Sequence, residues 1–141
     1  MNGKSAPLLT REEIGERLSG LFADQTLQLV LLFGSLATGK GHRRSDADIG
    51  FLFDSPTDIM GLTNKVTRLL GNDNVDVVDL RRASPLLRFA AAGKGIVLYE
   101  REPGLFSRFY SLSYRMYVDT KKLRDARDTV IRRFLQSGGR E

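Results

Sequence analysis

The segment from Leu27 to Phe33 constrains the fold of this 141-residue chain more than any other part of it. It is short and apolar, and Gly34 follows it at once, which favours a buried strand over a helix. A loop rich in glycine and basic residues (38–45) comes next. Beyond that loop, apolar residues alternate with others from Ala47 to Phe53, which is the period of a second strand. The chain is therefore expected to build its core on a sheet.

Start and stop signals predict the other elements. A capping box at Thr10–Glu13 begins a first helix, whose apolar face continues to Phe22. Ser55–Asp58 predicts the start of a second helix, and Gly71 predicts its end. Two further strands are expected at 75–80 and 96–99, a short helix from Ser84–Pro85 between them, and a long helix from about 105 to 136. The order αββαβαβα is typical of one α+β domain with helices packed on a small sheet. We divide it into a core (1–102) and a C-terminal helical arm (103–141).

The composition restricts the chemistry that the chain can perform. It contains no cysteine and a single histidine, so disulfides, thiolate metal sites and a multi-histidine zinc site are excluded. The longest uninterrupted apolar run, Leu29–Phe33, is far shorter than the roughly 20 residues that cross a bilayer. No leader typical of secretion opens the chain, and we expect a cytoplasmic protein without a membrane association. An enzyme of this composition would work through oxygen ligands and carboxylates.

Basic charge is concentrated in the arm. The whole chain carries +5, and the segment from Arg115 onward holds eight basic and four acidic residues, which leaves +4 there. Such a balance favours an anionic partner: a nucleotide, a nucleic acid or an acidic protein face. Five aromatic residues at helical spacing predict packing on the core, with a protein interface as the alternative: Phe106, Phe109, Tyr110, Tyr114 and Tyr117. Four arginines are expected to remain free for an acidic partner: Arg124, Arg127, Arg132 and Arg133.

The residues with the clearest chemical pattern lie between Gly34 and Asp48. Gly34 and Ser35 end a strand, where a small residue lets backbone amides come close to a bound anion. Asp46 and Asp48 are two residues apart on a predicted strand, so both carboxylates point to one face. Two carboxylates held together repel each other unless a cation lies between them. Mg²⁺, which prefers carboxylate, water and phosphate oxygens, suits such a site.

A third carboxylate is available on the predicted strand at 75–80. Alternation places Asp76 on the face opposite to Asp79. Asp76 is preferred because it lies within the apolar body of the strand, whereas Asp79 lies near its end, where it is solvated or paired with Arg81. The choice between the two aspartates stays open at this point.

The same segment nearly matches a P-loop, since Gly34 and Gly39–Lys40 have the required spacing. A P-loop needs serine or threonine at position 41, where this chain has glycine, and the residues that follow are poor helix formers. The P-loop is therefore rejected. Lys40 is expected to reach a triphosphate, with a solvated loop residue as the alternative, and His42 is expected to be an exposed loop residue.

Gly34–Ser35, ten further residues and Asp46–Ala47–Asp48 resemble the G-S-x10-D-x-D signature of the DNA polymerase β-like nucleotidyltransferase superfamily. The Val-Asp-Val-Val segment at 75–78 resembles the place of that superfamily's third carboxylate. The resemblance covers about residues 27–80. The short length is similar to that of minimal nucleotidyltransferase (MNT) proteins, which are antitoxins encoded beside HEPN-domain toxins. The resemblance implies the nucleotidyltransferase fold, a small mixed sheet with helices packed on it.

The resemblance also implies a function: Mg²⁺-dependent transfer of AMP from ATP to a tyrosine of a HEPN toxin encoded by an adjacent gene. The catalytic and metal-binding residues would be Asp46, Asp48 and Asp76. The residues that bind ATP would be Gly34, Ser35 and Lys40. Toxin and antitoxin would form a hetero-oligomer. The alternative is a basic nucleic-acid-binding or purely steric neutralising module with a degenerate nucleotide pocket, and such a module would not need three intact aspartates.

Overall fold

The computed structural model of the protein describes residues 9–34 and 47–137. In chain order, the elements are α1 (Arg11–Leu18), a 3-10 helix (Ser19–Ala23), β1 (Leu27–Phe33), β2 (Ala47–Phe53), α2 (Ile59–Leu70), β3 (Val75–Asp79), α3 (Pro85–Lys94), β4 (Ile96–Glu100) and α4 (Leu105–Gln136). The predicted order of helices and strands is confirmed within these residues. The predicted loop at 38–45 lies outside them.

The four strands form one mixed sheet in the order β3-β2-β1-β4. β1 is antiparallel to both of its neighbours, whereas β2 and β3 are parallel. A parallel pair needs a crossover connection, and α2 supplies it. The α+β class and the small mixed sheet are therefore as expected.

Helices cover both faces of the sheet. On one face, Val30 of β1 and Val66 of α2 belong to a core cluster that also includes α1. On the other face, Leu31 of β1 packs with Ala91 of α3 and Phe109 of α4. Successive residues of β1 thus point into two different cores. This double burial explains why β1 is apolar along almost its whole length.

The first helix begins as predicted and ends earlier. The Thr10 hydroxyl accepts a hydrogen bond from the Glu13 amide (3.1 Å), and the Thr10 amide donates to the Glu13 carboxylate (2.8 Å). The α-helix stops at Leu18, and the chain continues as a 3-10 helix to Ala23. Phe22 packs against the first core cluster from this tighter helix.

The second helix begins at the end of the Ser55–Asp58 signal. Its N-cap is Asp58, whose carboxylate accepts a hydrogen bond from the Gly61 amide (3.1 Å). Because this aspartate satisfies the first turn, Ser55 stays outside the helix. The predicted stop at Gly71 is confirmed, since this residue adopts the left-handed conformation (φ 67°) that closes a helix.

The first turns of α4 pack on the domain and on α3. Phe109 is buried, and the Phe89 ring of α3 lies 4.8 Å from the Tyr117 ring, centroid to centroid. Tyr110 and Tyr114 also contact Phe89, yet both remain exposed. The predicted packing of the aromatic series is therefore confirmed for Phe109 and only partly realised for these two tyrosines.

The distal part of α4 lies away from the core. Arg124 is not free, contrary to expectation: its guanidinium carbon lies 4.6 Å from the centroid of the Tyr117 ring, and Nη1 donates to the Thr120 hydroxyl (2.7 Å). Arg127, Arg132 and Arg133 are exposed, as expected. Within residues 9–34 and 47–137, no helix combines the length and the hydropathy that a membrane span requires.

Arg88 of α3 is a buried cation that no sequence motif marks. Only 9% of the residue is exposed, and Nη1 donates to the Leu80 carbonyl (2.7 Å). Its guanidinium carbon lies 5.0 Å from the centroid of the Phe109 ring. Burial lowers the pKa of this guanidinium. Arg88 thereby connects the turn after β3 with the start of α4.

Ser113 generates a prediction about stability. It is fully buried in α4, and within the described part of the chain its hydroxyl oxygen has no hydrogen-bond partner. Removing an unpaired buried hydroxyl relieves a desolvation cost. We expect Ser113→Ala to raise the free energy of unfolding by about 0.5–1.5 kcal/mol in urea titrations.

Exposed Ser111 of the same helix is the matched control. Ser111→Ala gains the same helix propensity, about 0.5 kcal/mol or less, without changing a buried group. A Ser113→Ala variant less stable than Ser111→Ala would show that the buried hydroxyl has a stabilising partner.

Candidate active site

The candidate site lies at the end of the sheet where β1 stops and β2 and β3 begin. Gly34 directly follows β1, Asp48 is the second residue of β2, and Asp76 is the second residue of β3. Phe33 pairs with Asp48 across the antiparallel strands, and Asp48 pairs with Asp76 across the parallel strands. Three positions separated by up to 42 residues in the sequence thus meet at one end of the sheet.

Asp48 and Asp76 point to the same face of the sheet. They are direct register partners on neighbouring strands, which lie about 4.8 Å apart. Val78 follows Asp76 on that face and packs with the core cluster under α3. Asp48 is half-buried and Asp76 is exposed. The register therefore places two carboxyl-bearing residues side by side, and carboxylate oxygen atoms are ligands that a hard cation such as Mg²⁺ prefers.

Asp79 lies on the opposite face of β3. Val77, which shares its face, packs against the core cluster under α1 and α2. The Asp79 carboxylate accepts a hydrogen bond from the Arg81 backbone amide (3.1 Å) and so closes the turn after the strand. The expected partner of Asp79 was Arg81, and the contact is made by its backbone. Of the two aspartates on β3, Asp76 is the neighbour of Asp48.

Gly34 makes room for the Asp48 carboxylate. Its φ of +84° lies in the left-handed region, which residues with a side chain rarely adopt. A Cβ atom on Gly34 would overlap with Asp48 Oδ2 and would come within 2.9 Å of its Cγ. A glycine is therefore needed at position 34 because of the Asp48 carboxylate, whether or not a ligand also approaches the end of the strand.

Gly50 and Leu80 form an apolar contact next to Asp48 on β2, and the charged motifs of the sequence do not indicate it. Gly50 lies two residues after Asp48 on the same face, and a Cβ there would come within 2.9 Å of Leu80 Cδ1. The Leu80 amide donates to the Phe51 carbonyl (3.0 Å), which holds the side chain over the strand. A glycine inside a strand indicates such a close approach, so the signal was present in the sequence.

Three of the predicted site residues lie outside the described part of the chain: Ser35, Lys40 and Asp46. The structure therefore brings together Gly34, Asp48 and Asp76. Within residues 9–34 and 47–137, no group of three or more histidine, cysteine, aspartate or glutamate side chains could hold a metal. A three-carboxylate site depends on Asp46, which precedes Asp48 by two positions, and it stays a prediction.

Known proteins share this architecture. Residues 16–104 match the family described as Polymerase beta, Nucleotidyltransferase. Protein adenylyltransferase MntA of Aphanizomenon flos-aquae is 30% identical over 125 residues, which are 80% of this chain and 83% of that protein.

Two solved structures are similar over most of the chain. The first is a toxin-antitoxin crystal structure with AMP-PNP (TM-score 0.73, 31% identity, 87% of this chain and 98% of that chain). The second is a tri-AMPylated Shewanella oneidensis HEPN toxin in complex with MNT antitoxin (TM-score 0.70, 27% identity, 86% and 98%).

The contact between Gly34 and Asp48 can be tested by a double-mutant cycle. Gly34→Ala should lower the free energy of unfolding by about 1–2 kcal/mol or more, because left-handed backbone strain adds to the overlap with the carboxylate. In an Asp48→Ala background the overlap with the carboxylate is gone and only the contact with the Cβ atom at position 48 (3.3 Å) stays, so we expect the loss to shrink by at least about 0.5 kcal/mol. Urea titrations of the four proteins measure this coupling.

Gly104 provides the matched control, since it has a similar φ (+96°) and open space where a Cβ would lie. Gly104→Ala carries the same kind of backbone strain, and its cost should be identical with and without Asp48→Ala. If the effects of the Gly34 and Asp48 substitutions on the free energy of unfolding were additive as well, the overlap would make no contribution to stability.

Proposed function

Because the chain belongs to the polymerase β nucleotidyltransferase family, we propose that it is an antitoxin that transfers AMP from ATP to a tyrosine hydroxyl of a HEPN-domain toxin. The observation that carries this proposal is the pairing of Asp48 with Asp76 beside Gly34. The relatives support the choice of reaction and acceptor, since one is a protein adenylyltransferase and another is an MNT antitoxin bound to an AMPylated HEPN toxin.

The strand end is the proposed site for the triphosphate. Gly34 and Ser35 would hold the β- and γ-phosphates through backbone amides, and Lys40 would contribute a positive charge. Asp46, Asp48 and Asp76 are the proposed ligands of Mg²⁺, which when bound would offset the charge of the phosphates. The paired carboxylates of Asp48 and Asp76 fit this role, because both present oxygen donors to the same face of the sheet.

The acceptor side of the reaction is assigned to Asp76. The tyrosine oxygen attacks the α-phosphorus, a new P–O bond forms, and the bond from the α-phosphorus to the oxygen bridging to the β-phosphate breaks. Pyrophosphate leaves, and the tyrosine proton passes to the Asp76 carboxylate. Asp76 is the exposed member of the pair, so a hydroxyl carried on another protein can approach it. Positioning and charge stabilisation supply most of the catalysis.

The arm is the proposed partner-binding segment. We assign residues 1–102 to the catalytic core and residues 103–141 to an arm that holds the toxin in a hetero-oligomer. The solved relatives are toxin-antitoxin complexes, which supports this arrangement. We place the reaction in the cytoplasm, where ATP is abundant.

Substitution of the two aspartates on β3 separates catalysis from structure. Asp76→Asn should reduce AMP transfer by at least about 100-fold, since it removes a charge and the proton acceptor. Asp79→Asn is the matched control on the opposite face: its amide oxygen can still accept from the Arg81 amide, and activity should stay within about twofold of wild type. Transfer of labelled AMP from ATP to the purified toxin is the measurement.

A measurement of toxin activity beside the AMP-transfer assay distinguishes the enzymatic from the steric mechanism. An Asp48→Asn or Asp76→Asn chain that still neutralised the toxin fully, without transferring AMP, would favour steric neutralisation. Strong loss of transfer on Asp79→Asn with normal folding would overturn the assignment of Asp76.

A further inference from the structure

We propose that the distal half of α4, residues 121–136, docks against a helix of the acceptor toxin through an apolar seam with one arginine at its centre. The seam consists of four residues: Leu123, Arg127, Val130 and Phe134. This inference rests on the proposed function, because it identifies the surface by which the acceptor is held.

The seam follows from the spacing of residues along α4. Eight positions succeed one another at alternating steps of four and three residues: Phe109, Ser113, Met116, Thr120, Leu123, Arg127, Val130 and Phe134. This 3-4 spacing keeps all eight on one side of the helix and is the pattern of a helix that packs along another helix. The first four positions lie on the side that α4 turns to the domain, where Phe109 and Ser113 are buried.

The last four positions continue the same side beyond the domain. Leu123 is 70% exposed, Val130 63% and Phe134 62%. Among the described residues, Phe109 is the last in the chain that joins a core cluster. A helical segment of this length is marginal in water when no tertiary contact covers its apolar side. The side of α4 formed by these eight positions is thus covered by the protein in its first half, and its uncovered second half is the seam.

Charge identifies the kind of surface that fits the seam. Arg127 lies in the middle of the seam, so a fitting surface needs a carboxylate opposite it. A second copy of this chain would bring the same arginine and the same +4 segment, and like charges would meet. The seam therefore fits a different protein, with apolar positions on a helix and an acidic residue among them. The solved relatives that match this chain over 87% and 86% of its length come from complexes with a toxin, which makes the acceptor the occupant.

The test uses the full chain and the HEPN-domain toxin that the proposed function assigns to it as acceptor. Val130→Asp and Phe134→Asp should each weaken binding of that protein by at least about 10-fold, because a charge is placed in an apolar contact. Arg127→Glu should weaken binding by a similar factor, and Arg127→Lys should weaken it less. In the AMP-transfer assay, Val130→Asp should raise the KM for the toxin and leave kcat unchanged.

Val118→Asp is the matched control: it is also an exposed valine of α4, and it lies about a third of a turn away from Val130 around the helix. Its affinity for the toxin should equal that of wild type. ATP affinity should be unchanged in every variant, since none of the substituted residues belongs to the proposed ATP site. The free energy of unfolding should be unchanged for Val130→Asp and Phe134→Asp, whose side chains are mostly exposed.

Three outcomes would contradict either the docking surface or the proposed function on which it rests. Unchanged toxin affinity for Val130→Asp and Phe134→Asp, in a chain that transfers AMP normally, would overturn the docking surface and leave the proposed function standing. Absence of AMP transfer by the wild-type chain would instead contradict the proposed function. Sedimentation of the chain alone gives the third outcome. If it showed a dimer that Phe134→Asp dissociates while toxin binding stays intact, the seam would be an interface with a second copy.

Discussion

The register between β2 and β3 is the constraint on which the rest of the site depends. Asp48 and Asp76 are partners across a parallel pair, and a slip of one residue would turn Asp76 to the other face. The register is held by the burial of both strands: Ile49 and Val77 pack into one core cluster, while Val78 packs into the other. The apolar alternation that forms the two cores thus also places two carboxylates side by side.

The close approach between Gly34 and Asp48 extends this constraint to the end of β1. Its backbone can lie against the Asp48 carboxylate only because it has no Cβ. The same absence of a side chain would let a phosphate approach the backbone amides in the proposed reaction. The proposed metal-binding and phosphate-binding functions would thereby be coupled through one glycine. Gly34 would then meet two requirements at once, because it leaves room for the Asp48 carboxylate and for a phosphate.

Local signals were good predictors of the elements and weaker predictors of their ends. Thr10 and Gly71 marked a helix start and a helix end correctly, since caps act within one turn. The signal at Ser55–Asp58 located the start of α2 only to within a few residues, because several of them can cap a helix, and the packed structure selects Asp58. Arg124 was expected to be free, and its contact with Tyr117 arises from helical geometry that charge counting ignores.

The sequence by itself determined the order of helices and strands, the apolar faces and the residue types of the candidate site, because these depend on short-range periodicity and spacing. It also placed Asp76 and Asp79 on opposite faces of one strand. Only the tertiary structure decided which of those faces meets Asp48, since that choice depends on strand order and register between segments far apart in the chain. Whether the α4 seam is covered was likewise decided by where the domain ends, because periodicity gives a helix an apolar side without saying what covers it.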